Sequence, residues 1–198
     1  MPSPFHRSAH PAVIGVDLDN VIGDTDEVVR RIIRDLFGVD AGRDEIVTWR
    51  YSSSLPITQD QEKQVFDVLH SKYLMAIPSL PGATTAVQHL AEFAPIWIIT
   101  ARPESSRVDT ERWLTSIGLR YDALLFTSTK LDIGVPVLFF IDDNPETAQK
   151  LLALSNRVFL MDRPWNRGVH ETPLLTRVFG WSDVERHAEE LVTAGNGR

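Results

Sequence analysis

The chain of 198 residues contains no cysteine. Thiolate nucleophiles, disulfide bonds and metal sites with cysteine ligands are therefore excluded. No apolar run approaches the roughly 20 residues that a membrane-spanning helix needs, and the opening residues MPSPFHRSAH lack the apolar core of a secretory signal. We therefore expect a cytoplasmic protein without a membrane partner.

Positive charge is also scarce, since 20 Lys and Arg face 27 Asp and Glu and leave a formal net charge of -7. A broad surface for nucleic acid needs an excess of basic residues, so we expect no nucleic-acid polymer as a partner. The six histidines include no pair with metal-ligand spacing, and we interpret them as structural or exposed residues. The remaining composition, 43% hydrophobic and 24% charged, is that of an ordinary globular protein.

Four short apolar runs alternate with amphipathic stretches that have helical periodicity. The runs are AVIGVDL at 12–18, PIWIITA at 95–101, VPVLFFIDD at 135–143 and RVFLMD at 157–162. Near-continuous apolar runs are typical of strands that are buried on both faces. The alternation predicts an α/β fold whose parallel sheet is built from βαβ units.

The interval from 25 to 80 interrupts this alternation. Its segments DEVVRRIIRDLFG and TQDQEKQVFDVLHSKYL both have the periodicity of amphipathic helices, and no strand-like run separates them. We predict a core formed by 11–24 and 81–198, a helical insertion at 25–80, and flexible tails at 1–10 and 195–198.

Acidic and hydroxyl side chains stand where the apolar runs end. Asp17 and Asp19 follow the first run, Thr100 ends the second, and Asp142 and Asp143 end the third. Ligands of an open parallel sheet bind at the carboxyl ends of its strands. Two carboxylates about 4 Å apart repel by roughly 4 kcal/mol, so a cluster of them binds protons or a cation. Ligation by oxygen alone favours a hard ion such as Mg²⁺.

Other interpretations of these acids have to be weighed. A single aspartate at a strand end usually caps a helix or a turn, but two pairs of them favour a functional site. An EF-hand is excluded because Ile22 occupies the position of the loop glycine and Val28 that of the bidentate glutamate. On the acids alone, a two-metal nuclease stays open.

The order of these residues resembles the four motifs of the haloacid dehalogenase-like (HAD) phosphatase superfamily. VIGVDLDNVIGDT resembles the first motif, IWIITA with Thr100 the second, TSTKLDIG with Lys130 the third, and LFFIDDNPE the acidic fourth. Without this order we would interpret Lys130 as a solvated lysine. The resemblance implies a Rossmann-like core with a small helical type-1 cap inserted after the first strand.

A narrower resemblance involves the stretches ITARP, FIDDNPE and MDRPWNR. They are most similar to the 5'(3')-deoxyribonucleotidases and cytosolic type C pyrimidine 5'-nucleotidases, although Asn20 stands where many relatives have glycine. The resemblance implies a Mg²⁺-dependent phosphomonoesterase, a hydrolase of nucleotide metabolism whose substrate is a nucleoside monophosphate.

The resemblance also implies a role for each motif residue. Asp17 would be the nucleophile that forms an aspartyl-phosphate, and Asp19 the general acid and base. Mg²⁺ would bind Asp17, the main-chain carbonyl of Asp19, and the pair Asp142 and Asp143.

Phosphate binding is expected from Thr100, through its hydroxyl, and from Lys130, through its charge. Three further residues are weaker candidates for substrate specificity. Trp49 and Tyr51, in the loop TWRYSSSLP of the insertion, would contact the leaving group unless they only pack locally. Arg102 is either a phosphate or cap contact, or a surface residue that pairs with Glu104. Apart from these three, Arg163, Trp165 and Asn166 in MDRPWN could contact a base, unless Trp165 packs over the edge of the sheet.

Several alternatives stay open at this point. The substrate could be a sugar phosphate or another small metabolite, which the cap rather than the catalytic motifs would decide. The chain could also be a non-catalytic phosphate-binding regulatory module. The sequence does not choose between a monomer and a homodimer.

Overall fold

The computed structural model describes residues 12–131 and 133–196. Its centre is one six-stranded sheet with the order β3-β2-β1-β4-β5-β6, in which every neighbouring pair is parallel. The strands are β1 Val13–Val16, β2 Ile96–Thr100, β3 Ala123–Phe126, β4 Val137–Asp142, β5 Val158–Met161 and β6 Leu175–Val178. The predicted α/β fold is therefore confirmed.

Seven α-helices surround this sheet within the described ranges. They are α1 Thr25–Phe37, α2 Tyr51–Ser54, α3 Gln59–Val68, α4 Ala83–Leu90, α5 Arg107–Ser116, α6 Pro145–Ala153 and α7 Trp181–Asn196. None of the described helices is long and apolar enough to cross a membrane. Helix α7 includes residues 195 and 196, so this part of the predicted tail is helical, while the predicted tail at 1–10 lies outside the described residues.

The chain from α1 to the π-helical turn Leu69–Tyr73, which lies between α3 and α4, is the helical cap that the resemblance implies. Helix α1 begins at Thr25, after Asp24 accepts a hydrogen bond from the Glu27 main-chain N–H, and ends at Phe37. Gly38 follows it with a left-handed φ of 68°, which glycine adopts without strain. The exact boundaries of core and insertion stay a prediction.

Both faces of the sheet are apolar, as the continuous apolar runs predict. Alternate residues of β1 and β2, such as Ile14 and Ile98, belong to the larger core cluster, which also contains residues of the cap. Ile99 and Phe140 point to the opposite face and pack with residues of α6. Gly15 lies on that face too, and a Cβ at this position would come within 2.7 Å of the Phe140 ring.

Two features of the sheet position the site. Strand β1 pairs with β2 on one side and with β4 on the other, so the chain order reverses at β1, where ligands bind in sheets of this kind. The connection from β3 to β4 has to pass β2 and β1, and it does so in ten residues, 127 to 136. None of its described residues is helical, and Lys130 lies within it.

Candidate active site

The carboxyl ends of β1 and β4 bring three aspartates together, and we call Asp17, Asp142 and Asp143 the carboxylate cluster. The strands are in register at Val16 and Ile141, and the Asp17 main-chain N–H donates to the Ile141 carbonyl at 3.0 Å. Each aspartate offers a carboxylate oxygen within 4.8 Å of the others, and all three residues are buried. The structure thus brings three of the four predicted acids into one cluster, and the Asp19 carboxylate is not part of it.

Lys130 is bound to this cluster. Its ammonium donates to Asp17 Oδ1 at 2.7 Å and to Asp142 Oδ2 at 2.6 Å, and only 9% of its side chain is exposed. Burial disfavours the ammonium, but the charges of Asp142 and Asp17 outweigh burial and raise the pKa of Lys130. Lys130 is thus a charged, buried residue of the site and not a solvated lysine.

One lysine does not neutralise three carboxylates. Burial, together with the charges of Asp142 and Asp19, raises the pKa of Asp17 to about 7 in spite of Lys130. Burial and the charges of Asp17 and Asp142 raise the pKa of Asp143 well above its ordinary value. An oxygen-only cluster that holds protons this strongly has the donor set and the charge that a hard cation requires.

Loop residues beyond β4 and β5 fix the orientation of this cluster. Asp142 Oδ1 accepts from the Asn144 main-chain N–H at 2.9 Å, while Asp143 Oδ2 accepts from Trp165 Nε1 at 2.9 Å. The Asn166 side-chain amide donates to the Asp143 carbonyl at 2.8 Å. Trp165 is buried and also lines the cavity, and its contact with a base stays a prediction.

Asp19 has a different set of partners. Its carboxylate accepts a hydrogen bond from the Thr25 hydroxyl at 2.6 Å. It also accepts hydrogen bonds from both Nε and Nη2 of the Arg102 guanidinium, with Nη2 at 2.6 Å from Oδ1. Burial opposes ionisation here, but Arg102 and the two sets of hydrogen bonds hold the pKa of Asp19 below its ordinary value.

The structure places Arg102 differently from both interpretations of the sequence. Its side chain is completely buried and points to Asp19, whereas Glu104 pairs with Arg107. The spacing of ITARP could not show this, because a buried arginine and an exposed one are equally compatible with a position just after a strand.

Thr100 is fully buried, and its hydroxyl oxygen accepts from the Arg102 main-chain N–H at 3.2 Å. On this side the cavity is lined by Ala101 and by Thr127 and Ser128, which follow β3. The phosphate-binding role of Thr100 stays a prediction, and the two hydroxyls after β3 are site residues that sequence reasoning missed, because β3 itself was not predicted.

Asn20 explains the turn that follows the first motif. Its φ is 60°, a left-handed conformation that asparagine tolerates better than most residues and glycine adopts without strain. Its side chain accepts from the Asp26 main-chain N–H at 2.8 Å, and its carbonyl accepts from Arg163 Nη2 at 2.6 Å. Asparagine and glycine both suit this left-handed position, and Asn20 adds a hydrogen bond to helix α1 that glycine could not make.

A cavity of about 220 Å³ opens over the carboxylates. The cap supplies its opposite side, which includes Trp49, Tyr51, Phe66 and His70, and we call these four residues the aromatic wall. Trp49 Nε1 donates to Glu146 Oε1 of the core at 3.0 Å, and the Tyr51 hydroxyl donates to Asp26 Oδ1 at 3.0 Å. The two specificity candidates in the insertion thus line the cavity, while Trp49 also joins the cap to the core and Tyr51 joins two helices of the cap.

His70 is a further residue of the site that the sequence did not indicate, since all six histidines were interpreted as structural or exposed. The π-helical turn places it beside Phe66, with ring centroids 6.1 Å apart, and on the wall of the cavity. Its ring makes no hydrogen bond to another described residue, and burial lowers its pKa. Its position beside the site depends on this turn, which no sequence periodicity predicts.

Solved structures of known proteins confirm the fold. A HAD family hydrolase from Deinococcus radiodurans R1 with bound phosphate and sodium has a TM-score of 0.63 at 16% identity, covering 91% of this chain and 96% of that chain. A haloacid dehalogenase-like hydrolase from Streptococcus pneumoniae has a TM-score of 0.62 at 13% identity, with coverages of 89% and 97%. No curated protein sequence matches the chain.

The sequence family gives the finer result. The model of the family described as "5' nucleotidase, deoxy (Pyrimidine), cytosolic type C protein" matches residues 11–194, nearly the whole chain. The order of motifs, the HAD fold and this match agree with one another. The chain therefore belongs to this family of HAD-type 5'-nucleotidases and is a phosphoric monoester hydrolase.

Proposed function

We propose that the protein hydrolyses a nucleoside monophosphate, as a 5'-nucleotidase that acts on deoxyribonucleotides, through an aspartyl-phosphate on Asp17. The observation that best supports this is the cavity itself, in which the carboxylate cluster and the aromatic wall face each other. A phosphate ester with an attached ring system has one charged end and one flat apolar end. The cavity offers a counterpart to each.

The proposed first step is an attack of Asp17 on phosphorus. A bond forms between a carboxylate oxygen of Asp17 and phosphorus, the bond to the nucleoside oxygen breaks, and Asp19 in its protonated form gives that oxygen a proton. In the second step water attacks phosphorus, the bond between phosphorus and the Asp17 oxygen breaks, and inorganic phosphate leaves. Asp19 takes the proton of the water and so regains the proton that it gave. Lys130, at 2.7 Å from Asp17, supplies positive charge beside the transferred group.

Mg²⁺ is the proposed cofactor, held by the carboxylate cluster and the main-chain carbonyl of Asp19. The raised pKa values of Asp17 and Asp143 support this, because they mean that Lys130 alone supplies too little positive charge to keep all the acids ionised. When bound, the ion neutralises the acids and the phosphate oxygens, so that an anionic nucleophile approaches an anionic ester.

The cap has two proposed tasks. The aromatic wall would contact the nucleoside, with Trp49, Phe66 and His70 presenting ring faces or edges to it. The hydrogen bond between Trp49 and Glu146 joins the cap to the core beside the cavity, which would limit access of water to the phosphoenzyme. A cytoplasmic location is part of the proposal and is supported by the family's description as cytosolic.

The test is phosphate release from a panel of esters, with Mg²⁺ and with EDTA. The panel contains ribo- and deoxyribonucleoside 5'- and 3'-monophosphates and several sugar phosphates. An Asp17→Asn variant, purified in parallel, measures the contribution of contaminating phosphatases. We expect Mg²⁺-dependent release that is fastest with deoxyribonucleoside monophosphates.

Two other results would contradict parts of the proposal. Release from sugar phosphates alone would reject the nucleotide substrate and leave the reaction type standing. No release from any ester, with Mg²⁺ present, would reject the enzymatic proposal and favour a phosphate-binding module.

A further inference from the structure

The guanidinium of Arg102 is held rigidly between Asp19 and helix α5. Its side chain has no exposed surface, its Nη1 donates to Thr110 Oγ1 at 3.3 Å, and its guanidinium carbon lies 5.4 Å from the centroid of the Trp113 ring. A buried cation is stable only when its donors are satisfied, and here α5 satisfies one side while Asp19 satisfies the other. The packing of the core therefore determines where this cation lies.

The two oxygens of Asp19 are not equivalent. Oδ1 accepts from Arg102 Nη2 at 2.6 Å, from the Thr25 hydroxyl at 2.6 Å, and from Arg102 Nε at 3.2 Å. Oδ2 accepts only from Arg102 Nε, at 3.1 Å. Because a carboxylate oxygen has two lone pairs, Oδ1 is saturated while Oδ2 keeps one lone pair free.

The Asp19 side chain is 29% exposed and lines the cavity, and Thr25, which is buried, lines it too. The Arg102 side chain has no exposed surface and does not line the cavity, so Asp19 is the member of this pair that the cavity reaches. Rotation of the carboxylate would break the short bonds to both partners at once. The two partners thus select one orientation of Asp19.

We propose that Arg102 and Thr25 are positioning residues that fix Asp19 so that Oδ2 is the atom that transfers the proton. The inference rests on the proposed function and adds two residues to it. The proton passes from Oδ2 to the ester oxygen as the phosphorus–oxygen bond breaks, and Oδ2 takes a proton from water as the aspartyl-phosphate is hydrolysed. A lysine could not replace Arg102, because one ammonium cannot donate in the planar, two-pronged geometry.

A purely structural role for Arg102 makes a different prediction. If the residue only fastened α5 to the strand end, its replacement would lower stability and slow every step for every substrate. A positioning role affects only the steps in which Asp19 moves a proton. Esters with good leaving groups separate the two, because 2,4-dinitrophenolate departs without a proton whereas an alkoxide needs one.

The experiment compares Arg102→Lys, Thr25→Val and Asp19→Asn, and it combines each of the first two with Asp19→Asn. The control is Arg107→Lys, which makes the same change in an exposed pair with Glu104 that is outside the site. Steady-state rates are measured on the fastest alkyl phosphate of the panel. The first turnover of 2,4-dinitrophenyl phosphate is followed by stopped flow.

For Arg102→Lys we expect alkyl phosphate turnover to fall by about 100-fold, a typical contribution of general acid–base catalysis. The burst of dinitrophenolate should keep its rate within about threefold and be followed by a slow phase, since hydrolysis of the aspartyl-phosphate still needs Asp19. Thr25→Val should show the same pattern more weakly. In the Asp19→Asn background neither change should reduce the rate further.

Three results would overturn the inference. The first is an equal loss of burst rate and alkyl phosphate turnover, and the second is an additive loss in the Asp19→Asn background. The third applies if Arg102→Lys does not fold: Thr25→Val then turns over substrate as fast as the wild-type protein. This substitution is isosteric and tests the same orientation of Asp19. A wild-type protein that turns over neither ester would reject the proposed function and this inference together.

Discussion

Asp17 and Asp19 are two residues apart at the end of one strand, yet they lie in opposite surroundings. Asp17 lies among other carboxylates with a shared lysine, and its pKa is raised to about 7, while Asp19 has an arginine and a hydroxyl to itself and its pKa is lowered. Burial and the charge of Asp142 raise the pKa of Asp17 in spite of Lys130, whereas Arg102 outweighs burial at Asp19, and these partners come from distant parts of the chain. Two identical side chains therefore acquire different chemistry from what the fold brings to each.

The largest expected effect comes from replacing the two aspartates, and the two variants should differ in whether the aspartyl-phosphate accumulates. Asp17→Asn should lower phosphate release by about 10⁴-fold or more and form no phosphoenzyme, because the nucleophile is gone. Asp19→Asn should lower release by about 10²- to 10⁴-fold and accumulate the aspartyl-phosphate. Mass spectrometry of the intact protein after reaction with 2,4-dinitrophenyl phosphate would detect it.

The matched control is Asp67→Asn, an exposed aspartate that pairs with Lys63 in the cap. Its turnover should equal that of the wild-type protein. A phosphate adduct on Asp17→Asn, or unchanged turnover by that variant, would refute the nucleophile.

Lys130→Met removes the ammonium that Asp17 and Asp142 share. Asp17 and Asp142 would then face each other without the ammonium between them, and we expect the free energy of unfolding in EDTA to fall by about 3 kcal/mol. Urea unfolding measures it. Lys63→Met removes a lysine from an exposed pair and should change the free energy of unfolding far less. Equal losses in the two variants would mean that the buried charges are not coupled as described.

A smaller effect should appear in the response to Mg²⁺ at two pH values. The folded pKa of Asp17, about 7, lies above its ordinary value of 3.8, so without metal the folded protein loses stability as pH rises between these values. Below pH 7 protons compete with the cation for Asp17, and each pH unit weakens the free energy of Mg²⁺ binding by about 1.4 kcal/mol. The rise in unfolding temperature caused by Mg²⁺ should therefore be greater at pH 8 than at pH 6, by about 3 °C.

Differential scanning calorimetry with Mg²⁺ and with EDTA measures this difference. Asp17→Asn should abolish most of its pH dependence. An identical Mg²⁺ effect at both pH values would show that proton release from Asp17 does not accompany binding.

The smallest effect should come from a substitution in the cap, at Trp49, whose indole N–H donates to neither Asp17 nor Asp19. Trp49→Phe keeps an aromatic ring but removes the donor to Glu146, a hydrogen bond worth about 1 kcal/mol. We expect KM to rise by about fivefold with kcat within twofold, as measured by steady-state kinetics. Trp97→Phe, on the far face of the sheet, is the control. A fall in kcat with unchanged KM would instead connect Trp49 to the chemical steps.

Much of the sheet could be predicted from the sequence, because buried parallel strands are continuous apolar runs. Strands β3 and β6 were missed. ALLF lies at an edge of the sheet and is only half-buried, and LTRV has Thr176 and Arg177 in its centre, so neither has the expected pattern. Elements at an edge depend on contacts that only the assembled fold provides.

The same distinction applies to the site. The convergence of Asp17, Asp142 and Asp143 follows from strand order alone, and the sequence motifs indicated it. The contacts of Arg102 and His70 depend on how a loop and a π-helical turn pack, and spacing along the chain does not record this. The sequence therefore predicted the acids of the site better than their partners.

The connection that contains Lys130 has a consequence for how this chain can change. It has to cross three strand spacings, about 14 Å, and return along the strands by about 16 Å, a direct path of roughly 21 Å. Its ten residues reach at most about 33 Å when fully extended, and less when they bend over the face of the sheet. Deletion of about four residues or more would leave too little chain for this path and pull a strand out of register, and long insertions would loosen the segment that holds the Lys130 ammonium between two carboxylates. Between 127 and 136, apart from Lys130 and the cavity-lining Thr127 and Ser128, we expect the chain to tolerate exchange of residue types better than such changes of length.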